Sequence, residues 1–491
     1  MVKVSVIVPV HNPGENISEC IASLVSQSLS STDYEIVFVD DGSTDATPAR
    51  LDALAAEHTH VRVEHIPNSG WPGRPRNVGL DLAQGKFVYF VDNDDWLGPE
   101  ALERMHAMAV ADEADVVVGK VVGHGKYVPP GLFRENLHGV SLRDAPLVGL
   151  LSPHKLFRRS FLVEHALRFP EGRRRLEDHV FVLRAYFATD RVSVLADYPC
   201  YHWMRRGSDN ASSGEAWDPV PYYAAVREVL DIVDEHTEPG ELRDRLYLRW
   251  YRAKTLGRVG GSRSALTTRP PDWQRAAFAE VRSIVLERFP ERLDALLPLN
   301  ERRRAALVRA GNFDALLAQA GYEKGLRARA TMTGTRRDGN RVVITARLRL
   351  RAGGEPLAFG PGEAEAALEG SWAQLLIRST ASKSQDVLPA VVVTRLEVGE
   401  VVLDVEATLD PRTASAGALL AAGDYDHPVV LNVAGFVGDG VLAKLGGLPV
   451  ATRVAADGSA TVRTTSGRAA ALALARRMPR LARAAKRVGG R

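Results

Sequence analysis

The first two hundred residues alternate between short apolar runs and segments with helical spacing. Runs with the length and composition of buried strands lie at residues 4–8, 34–39, 61–66 and 87–91. The segment after the first run carries apolar residues at helical spacing, namely Ile17, Cys20, Ile21, Leu24 and Val25. Because strands that alternate with helices assemble into parallel sheets, this pattern predicts an α/β domain with a mostly parallel sheet over residues 1–215.

The pattern changes twice further along the chain. Between residues 216 and 330, helices are predicted at 222–234, 241–259, 273–289 and 302–318, with prolines between them. From residue 341 apolar and polar positions alternate, as in a half-buried antiparallel strand, and more strands are predicted at 373–377, 390–393, 401–405, 429–433 and 461–464. The sequence thus predicts a helical bracing region at 216–330 and a β-sandwich at 331–465.

The last segment, residues 466–491, contains eight basic side chains and no acidic one. These charges lie among alanines and leucines, which is typical of a basic amphipathic helix that binds an anionic membrane surface. A disordered basic tail is the alternative.

Composition narrows the class of protein. Of the 491 residues, 45% are apolar and 25% are charged, with a formal net charge of +3, as in soluble globular proteins of several domains. The only cysteines are Cys20 and Cys200, so no disulfide framework is expected, and neither an export signal nor a membrane span is predicted. The sequence predicts a cytoplasmic protein without a nucleic-acid partner.

Carboxylates follow the fourth apolar run, in the order Asp92, Asn93, Asp94 and Asp95. Ligands of open α/β sheets bind beyond the carboxyl ends of the strands, where an Asp-x-Asp spacing can reach a hard divalent cation and, through it, a diphosphate. No glycine-rich phosphate loop of the GxGxxG or GxxxxGK[ST] type occurs, so metal and arginine would have to hold a phosphate. The alternative is that these carboxylates turn the chain and cap the next helix.

Three blocks carry a resemblance to a known family. VSVIVPVHN, VFVDDGSTDAT and NSGWPGRPRNVGLDLAQGKFVYFVDNDDWL, in this order and spacing, resemble the nucleotide-sugar half of family 2 inverting glycosyltransferases of GT-A type. LSPHKLFRRSFL and RRLEDHVF resemble a narrower group, the bacterial wall teichoic acid glycosyltransferases. The resemblance spans roughly residues 1–330.

The resemblance implies a UDP-sugar site on the first domain. Its donor-binding residues would be Pro9, Asp41, Asn68, Arg76, Asp92, Asn93, Arg206 and Ser212. Asp41 would bind the uracil ring, since an ionised carboxylate only accepts hydrogen bonds and the uracil imide donates one. From the residues alone, Asp41 also suits a helix cap and Arg76 a surface ion pair.

The resemblance further implies a divalent cation, Mn²⁺ or Mg²⁺. Its ligands would be Asp94 and Asp92, with Asn210 at a place where related enzymes often present a histidine. An inverting transfer also needs a carboxylate that takes the proton of the acceptor hydroxyl, and the family places this base at Asp178, with Glu177 beside it. The pair has a second explanation, because carboxylates at a helix start interact favourably with the helix dipole.

These observations predict a metal-dependent inverting glycosyltransferase. Its donor would be a UDP-sugar, with N-acetylglucosamine as the family's default, and its acceptor a hydroxyl of an anionic cell-wall polymer such as teichoic acid. The resembling group carries immunoglobulin-like modules that can mediate oligomerisation, so residues 331–465 are expected to hold a homo-oligomer together, with the protein peripheral on the inner face of the membrane. A transferase for a capsular polysaccharide and a non-catalytic carbohydrate-binding protein are the alternatives.

Overall fold

A computed structural model describes residues 2–124, 128, 130–204, 217–261, 264–357, 359, 363–368, 371–379, 385–388, 390–397, 400–411, 423–433, 435–443, 450–454 and 460–464. The chain forms two compact units. The first consists of residues 1–255 and 271–293, and the second of residues 256–270 and 294–491. The predicted division at residues 215, 330 and 465 stays a prediction.

The first unit is built on a nine-stranded sheet. Its strands are β1 (Val4–Val10), β2 (Tyr34–Asp41), β3 (Val61–Ile66), β4 (Phe87–Phe90), β5 (Trp96–Leu97), β6 (Val116–His124), β7 (Leu137–Val140), β8 (Leu156–Arg158) and β9 (Val192–Met204). Their order is β3-β2-β1-β4-β8-β6-β9-β5, with β7 paired to β9. Strands β1 to β4 pair in parallel, as predicted, whereas β8 lies antiparallel between β4 and β6.

Nine α-helices of the first unit are described. They are α1 (Ile17–Val25), α2 (Thr47–Glu57), α3 (Gly73–Leu82), α4 (Ala101–Ala111), α5 (Arg159–Glu164), α6 (Glu177–Phe187), α7 (Pro219–His236), α8 (Glu241–Trp250) and α9 (Pro271–Arg288). Helix α8 ends at Trp250 rather than at the predicted residue 259, and is followed by one wider turn, Tyr251–Thr255, and one tighter turn, Leu256–Arg258.

Close packing positions α3 and α6, which carry candidate site residues. Gly79 of α3 lies against Ile7 of β1 so tightly that a Cβ on Gly79 would come within 2.3 Å of the Ile7 Cγ2. Phe181 of α6 stacks on Phe169, which precedes the helix, with 3.9 Å between their ring centroids. Phe90 of β4 packs edge-on against both of these rings. The close approach of α3 to β1 and this aromatic cluster hold both helices near the carboxyl end of β4.

The second unit contains a twelve-stranded sheet. Its strands are β10 (Leu326–Asp338), β11 (Arg341–Ala352), β12 (Glu355–Pro356), β13 (Trp372–Ser379), β14 (Gln385–Val387), β15 (Ala390–Glu397), β16 (Glu400–Leu409), β17 (Gly423–Asp426), β18 (Pro428–Val433), β19 (Phe436–Ala443), β20 (Val450–Val454) and β21 (Ala460–Thr464). The order is β15-β16-β11-β10-β19-β18-β13-β17-β20-β21, with β12 on β11 and β14 on β13.

One apolar core lies within this sheet. Leu348 of β11 and Leu403 of β16 share the core with Leu375 of β13 and Leu431 of β18, which are distant in the strand order. The sheet therefore folds over on itself, and the prediction of a β-rich region after the helices is confirmed. Its immunoglobulin-like character stays a prediction.

The helices of the second unit are α10 (Leu299–Arg309), α11 (Phe313–Lys324) and α12 (Glu363–Leu368). The single helix predicted at residues 302–318 is wrong, because the chain breaks between α10 and α11. Gly311 adopts a φ of 73°, and the Asn312 Oδ1 accepts a hydrogen bond from the backbone N–H of Ala315 at 3.1 Å. A left-handed glycine ends α10 and an asparagine cap starts α11.

No helix among the described residues combines the length and the hydropathy that a bilayer span requires. Cys20 and Cys200 are both buried free thiols, and Cys20 lies on the apolar face of α1 as predicted.

Candidate active site

The loops that follow β1 and β2 are held together by Asn12. Its Oδ1 accepts a hydrogen bond from the backbone N–H of Thr44 at 2.8 Å, and its own N–H donates to the Ser43 Oγ at 2.9 Å. Asn12 has a φ of 45°, in the left-handed region that asparagine tolerates better than most residues. The neighbouring His11 places its Nδ1 2.9 Å from the carbonyl oxygen of Asp41. These contacts fix the ends of the two strands side by side.

Asp41 ends β2 and binds the loop after β3. Its Oδ1 accepts from the backbone N–H of Ser69 at 2.8 Å, and its Oδ2 accepts from the Ser69 hydroxyl at 2.9 Å. Gly42 has a φ of 67° and lies so close to Asn68 that a Cβ would come within 2.6 Å of the Asn68 backbone nitrogen. Asp41 and Asn68, both predicted to contact the nucleotide, therefore lie together at this edge of the sheet.

A buried arginine connects two groups of predicted site residues. The Arg76 Nη2 donates to the Asp92 Oδ1 at 2.9 Å, and its Nη1 donates to the Glu177 Oε1 at 3.3 Å. The guanidinium lies 5.2 Å from the centroid of the Phe169 ring, and Arg76 is only 4% exposed. Burial acts to lower the pKa of Arg76, but the charges of Asp92 and Glu177 outweigh it and raise the pKa. Arg76 is therefore a buried, charged bridge and not a surface ion pair.

Asp92 has both carboxylate oxygens engaged. Its Oδ1 accepts from Arg76, and its Oδ2 lies 2.9 Å from the His154 Nε2. Burial acts to raise the pKa of Asp92, but His154 and Arg76 overcome it and lower the pKa well below the usual range. Burial lowers the pKa of His154, although the charge of Asp92 opposes this change. Because an ionised carboxylate only accepts hydrogen bonds, the His154 Nε2–H donates to Asp92. Asp92 is therefore held ionised.

Tyr201 of β9 orders the turn that follows β4. Its ring stacks on the His154 imidazole with 4.0 Å between centroids. Its hydroxyl accepts from the backbone N–H of Asp92 at 3.2 Å and donates to the Asp95 Oδ2 at 2.7 Å. The Asp95 Oδ1 accepts from the backbone N–H of Met204 at 2.7 Å. The carboxylates of this turn are thus positioned from β9 as well as from β4.

Three of these side chains could hold a divalent cation. A carboxylate oxygen of Asp92, one of Asp95 and a ring nitrogen of His154 all lie within 4.8 Å of one another. Each carboxylate oxygen has a second lone pair, and the His154 Nδ1 is buried with no hydrogen-bond partner among the described residues. Two carboxylates and an imidazole suit Mn²⁺ better than Mg²⁺, which prefers oxygen ligands. The residues present therefore fit a divalent cation.

Glu177 and Asp178 begin α6. Leu176 turns the chain into the helix with a φ of 65°, a left-handed conformation that costs a leucine about 1–2 kcal/mol. The Asp178 Oδ1 accepts from the backbone N–H of His179 at 2.8 Å, and the His179 Nδ1 accepts from the Trp250 Nε1 at 3.1 Å. Contacts from α8 therefore reinforce the position of this carboxylate pair.

The electrostatic surroundings separate Asp178 from an ordinary surface carboxyl. Burial and the neighbouring charge of Glu177 raise the pKa of Asp178, and Lys254 and Arg76 offset only part of the rise. A helix dipole alone would lower it, so the dipole does not account for the environment of this residue. Lys155, fully buried, has its pKa lowered to about 7 by burial, while Asp178 opposes that change. Asp178 therefore has the character of a proton acceptor near neutral pH.

The described site residues all lie in the first unit. Asn93 donates from its Nδ2 to the Pro9 carbonyl at 3.3 Å, which joins the turn after β4 to the end of β1. Asp94 is half-buried and is not part of the trio of possible cation ligands. Arg206, Asn210 and Ser212 lie outside the described residues. The roles of all these residues toward donor and metal stay predictions.

Sequence reasoning missed His154, Lys155 and Tyr201 as site residues. The first two form a polar pair directly ahead of the short strand β8, within a segment that already resembled the family, so their position was a usable signal. Tyr201 lies in the long strand β9, which continues well beyond the predicted residue 196, and no local pattern marks it.

Family models match two parts of the chain. Residues 5–165 match the model described as glycosyl transferase family 2, and residues 219–320 match the glycosyl transferase TarS linker domain. The second match covers most of the helical region that follows the first sheet.

Several curated relatives are similar to the chain. The poly(ribitol-phosphate) beta-glucosyltransferase of Bacillus spizizenii is 37% identical over 233 residues, which are 47% of this chain and 37% of the relative. Staphylococcus aureus TarS, a poly(ribitol-phosphate) beta-N-acetylglucosaminyltransferase, is 32% identical over 64% of this chain and 54% of TarS. Staphylococcus aureus TarP, of the same activity, is 32% identical over 48% of this chain and 72% of TarP. The chain thus spans about half the length of TarS and less of the Bacillus enzyme.

Solved structures show the same likeness. The crystal structure of S. aureus TarS 1–349 in complex with UDP-GlcNAc is 28% identical, with a TM-score of 0.57 over 73% of this chain and 99% of that one. Another TarS crystal structure covers 95% of this chain and 85% of its own, with the same TM-score and 22% identity, which shows the fold alone.

Replacing Arg76 with alanine should strongly destabilise the first unit. The change leaves Asp92 and Glu177 without their buried partner, and breaking a buried pair costs about 3–5 kcal/mol. Arg74 lies on the same helix but is exposed, so Arg74→Ala should change the free energy of unfolding by no more than about 0.5 kcal/mol. Urea unfolding followed by tryptophan fluorescence measures the free energy of unfolding of both variants. Equal losses in the two variants would contradict the bridging role of Arg76.

Proposed function

The chain belongs to glycosyltransferase family 2, and from this premise we propose that it is an inverting transferase that moves a sugar from a UDP-sugar to a hydroxyl group of an anionic polyol-phosphate polymer such as wall teichoic acid. The observation that carries the proposal is the double ion pair of Arg76, with Asp92 beyond the end of β4 and Glu177 at the start of α6. It supports a single pocket in which the predicted donor site and the predicted base face one sugar.

The reaction requires one carboxylate that stays ionised and a second one that can take up a proton. The acceptor oxygen attacks the anomeric carbon from the face opposite UDP. The bond between that carbon and the UDP oxygen breaks, and its electron pair stays on UDP. The proton of the acceptor hydroxyl passes to a base. Asp92 is a poor base because its pKa is depressed, whereas the pKa of Asp178 is raised. We assign the base to Asp178 and the orientation of the acceptor to Glu177, which Arg76 holds in place.

We propose N-acetylglucosamine as the transferred sugar, because TarS binds UDP-GlcNAc and its structure is similar to this chain over nearly the whole of TarS 1–349. The Bacillus relative is a beta-glucosyltransferase, so glucose is the second candidate. Release of UDP from each nucleotide sugar in the presence of a polyol-phosphate acceptor distinguishes them.

Replacing Asp178 with asparagine should slow turnover at least about a hundredfold, since a general base contributes roughly 10²- to 10⁴-fold in rate. Donor affinity should change little, because the substituted group faces the acceptor proton and not the nucleotide. Glu177→Gln is the matched variant at the neighbouring position and should raise the acceptor KM more than it lowers kcat. The assignment moves to Glu177 if Glu177→Gln loses turnover while Asp178→Asn keeps it.

The raised pKa of Asp178 also sets the direction of the pH dependence. A base acts in its deprotonated form, and burial with the charge of Glu177 raises the pKa of Asp178 to about 7. Turnover should therefore fall as the pH drops below about 7, and not only near pH 4 where an ordinary carboxyl takes up its proton. A kcat–pH profile that stays flat down to pH 5 would remove Asp178 as the base.

We further propose that a divalent cation binds beside the donor diphosphate, held by Asp92 and Asp94. When bound, such a cation neutralises charge that develops on the leaving UDP. Asp94→Ala should abolish the UDP-dependent binding of Mn²⁺, measured by electron paramagnetic resonance of the free ion, and EDTA should stop UDP release. If His154→Gln abolishes Mn²⁺ binding while Asp94→Ala does not, the ligands are instead Asp92, Asp95 and His154.

We also propose that the second unit forms a homo-oligomer through strand β15. This strand ends the described order of the sheet, and Val391 and Val393 are 68% and 57% exposed on it. An exposed apolar edge favours pairing with another chain.

The tail at residues 466–491 lies outside the described residues. Its binding to anionic membranes stays a prediction, and with it the location of the protein on the inner face of the membrane. Co-sedimentation with anionic vesicles tests this prediction.

Replacing both Val391 and Val393 with lysine should convert the oligomer to a monomer in sedimentation velocity experiments. The added charges would meet their copies at the edge and oppose strand pairing. Val163 on α5 is 62% exposed, so Val163→Lys is the matched control and should leave the sedimentation coefficient unchanged. A wild-type chain that sediments as a monomer contradicts the proposal.

A further inference from the structure

Strands β10 and β11 of the second unit bring like charges into direct opposition. In their antiparallel register Arg329 lies opposite Arg349, and Arg327 lies opposite Arg351. Like charges that face each other across two strands destabilise a sheet. A pair of strands that keeps two such oppositions in succession gains stability when an anion lies over it.

The acidic residues near these arginines are shared between them. The Glu400 Oε2 lies 3.3 Å from the Arg349 Nε and 3.1 Å from the Arg351 Nη2, so one carboxylate oxygen serves two guanidinium groups. The Glu397 Oε2 lies 2.6 Å from the Arg349 Nη2. Arg329 is exposed and has no acidic partner among the described residues.

The neighbouring strand repeats this sharing. The two oxygens of Asp404 accept from the Arg347 Nε at 2.9 Å and from the Arg395 Nε at 2.8 Å. Three carboxylates therefore lie among six arginines, a set that we call the arginine face: Arg327, Arg329, Arg347, Arg349, Arg351 and Arg395. Its positive charge exceeds the local negative charge.

The excess positive charge lies around a surface cavity. Arg329, Arg349 and Arg351 line a cavity of about 420 Å³, together with Pro356, Glu397 and Glu400. The Arg351 Nε has no hydrogen-bond partner among the described residues, but it is buried and therefore closed to a ligand. The donors that the acids of this cluster leave open are those of the exposed Arg329, which has no acidic partner among the described residues. Guanidinium groups around a cavity present paired N–H donors in the geometry that a phosphate accepts.

The other end of the same strands is different. Arg336 pairs with Glu406 at 2.9 Å, and Arg341 pairs with Asp410 at 3.2 Å. Each of these arginines has a carboxylate of its own. Arg337, beside them, donates to the backbone carbonyl of Ala460 and lies opposite Val342, not opposite another arginine. The direct opposition of arginine to arginine therefore lies at the end of the two strands where Arg329 faces Arg349.

We propose that the arginine face binds phosphate groups of a polyol-phosphate polymer, as a binding site that shares no residue with the candidate active site. The identity of this polymer rests on the proposed function, because the acceptor in the proposed transferase reaction is a polyol-phosphate polymer. A flexible chain can place one phosphate in the cavity and the next ones on the surrounding arginines, whereas the headgroups of a membrane lie in one plane. Tethering the acceptor at a second site raises its effective concentration at the first.

The test measures affinity and not turnover. Full-length chain is titrated with a short poly(ribitol phosphate) oligomer, without nucleotide sugar, at two salt concentrations. The Arg329→Gln/Arg349→Gln double variant should bind the oligomer about tenfold more weakly or worse, which is the loss expected for charge-assisted hydrogen bonds, and with a weaker dependence on salt. The Arg336→Gln/Arg341→Gln control removes the same charge from the balanced end and should keep affinity within about twofold.

If the double variant unfolds, Arg329→Gln alone decides, because Arg329 forms no ion pair with the described residues that folding could require. This single variant should bind the oligomer more weakly and keep the wild-type unfolding temperature. Equal loss in the test and control double variants overturns the proposal, as does binding to phosphatidylglycerol vesicles through these arginines without binding to the oligomer. If the oligomer binds through the arginine face but no UDP-sugar is ever consumed, the inference stands and the proposed function fails. If sugar is transferred with unaltered KM for the polymer in Arg329→Gln, the function stands and the inference fails.

Discussion

The buried charge of Arg76 is the constraint on which the candidate site depends. A guanidinium that is 4% exposed must be compensated, and the two carboxylates that do so come from the turn after β4 and from the start of α6. Arg76 lies near the start of α3, whose Gly79 permits the helix to lie against Ile7 of β1. Sheet, α3 and α6 therefore cannot shift independently without separating buried opposite charges. An electrostatic requirement thus sets the geometry that a sugar donor and an acceptor would meet.

Three neighbouring carboxylates, those of Asp92, Glu177 and Asp178, have different environments around this buried charge. Asp92 is held ionised by Arg76 and His154, and Glu177 is committed to the other arm of the guanidinium. Asp178, next along the chain, lies outside both ion pairs with Arg76, and burial together with the charge of Glu177 raises its pKa. Pairs of titratable groups whose environments move their pKa values apart are what acid–base chemistry at neutral pH requires.

Sequence patterns predicted those parts of the fold that local hydrophobicity determines. The four parallel strands, the position of Asp92 directly after one of them and the carboxylate pair at the start of a helix all follow from apolar runs and from where they stop. The break at Gly311 was missed because apolar spacing continued through a residue whose φ only the folded chain reveals. The contacts of His154 with Asp92 and of Tyr201 with Asp95 were missed for a different reason. They join residues 62 and 106 positions apart, and no local period encodes them.

Two uses of arginine in this chain illustrate how charge balance separates scaffold from binding surface. Arg76 has two carboxylates of its own, so its charge is neutralised within the protein and serves to hold elements together. Arg349 shares the Glu400 carboxylate with Arg351 and lies opposite Arg329 at the rim of a cavity, so part of the charge of these arginines remains for a ligand. A sheet built only for stability would pair each of these arginines with a carboxylate, as it pairs Arg336 with Glu406 and Arg341 with Asp410. Retention of the opposed arginines at one end alone is therefore better explained by an external anion than by folding.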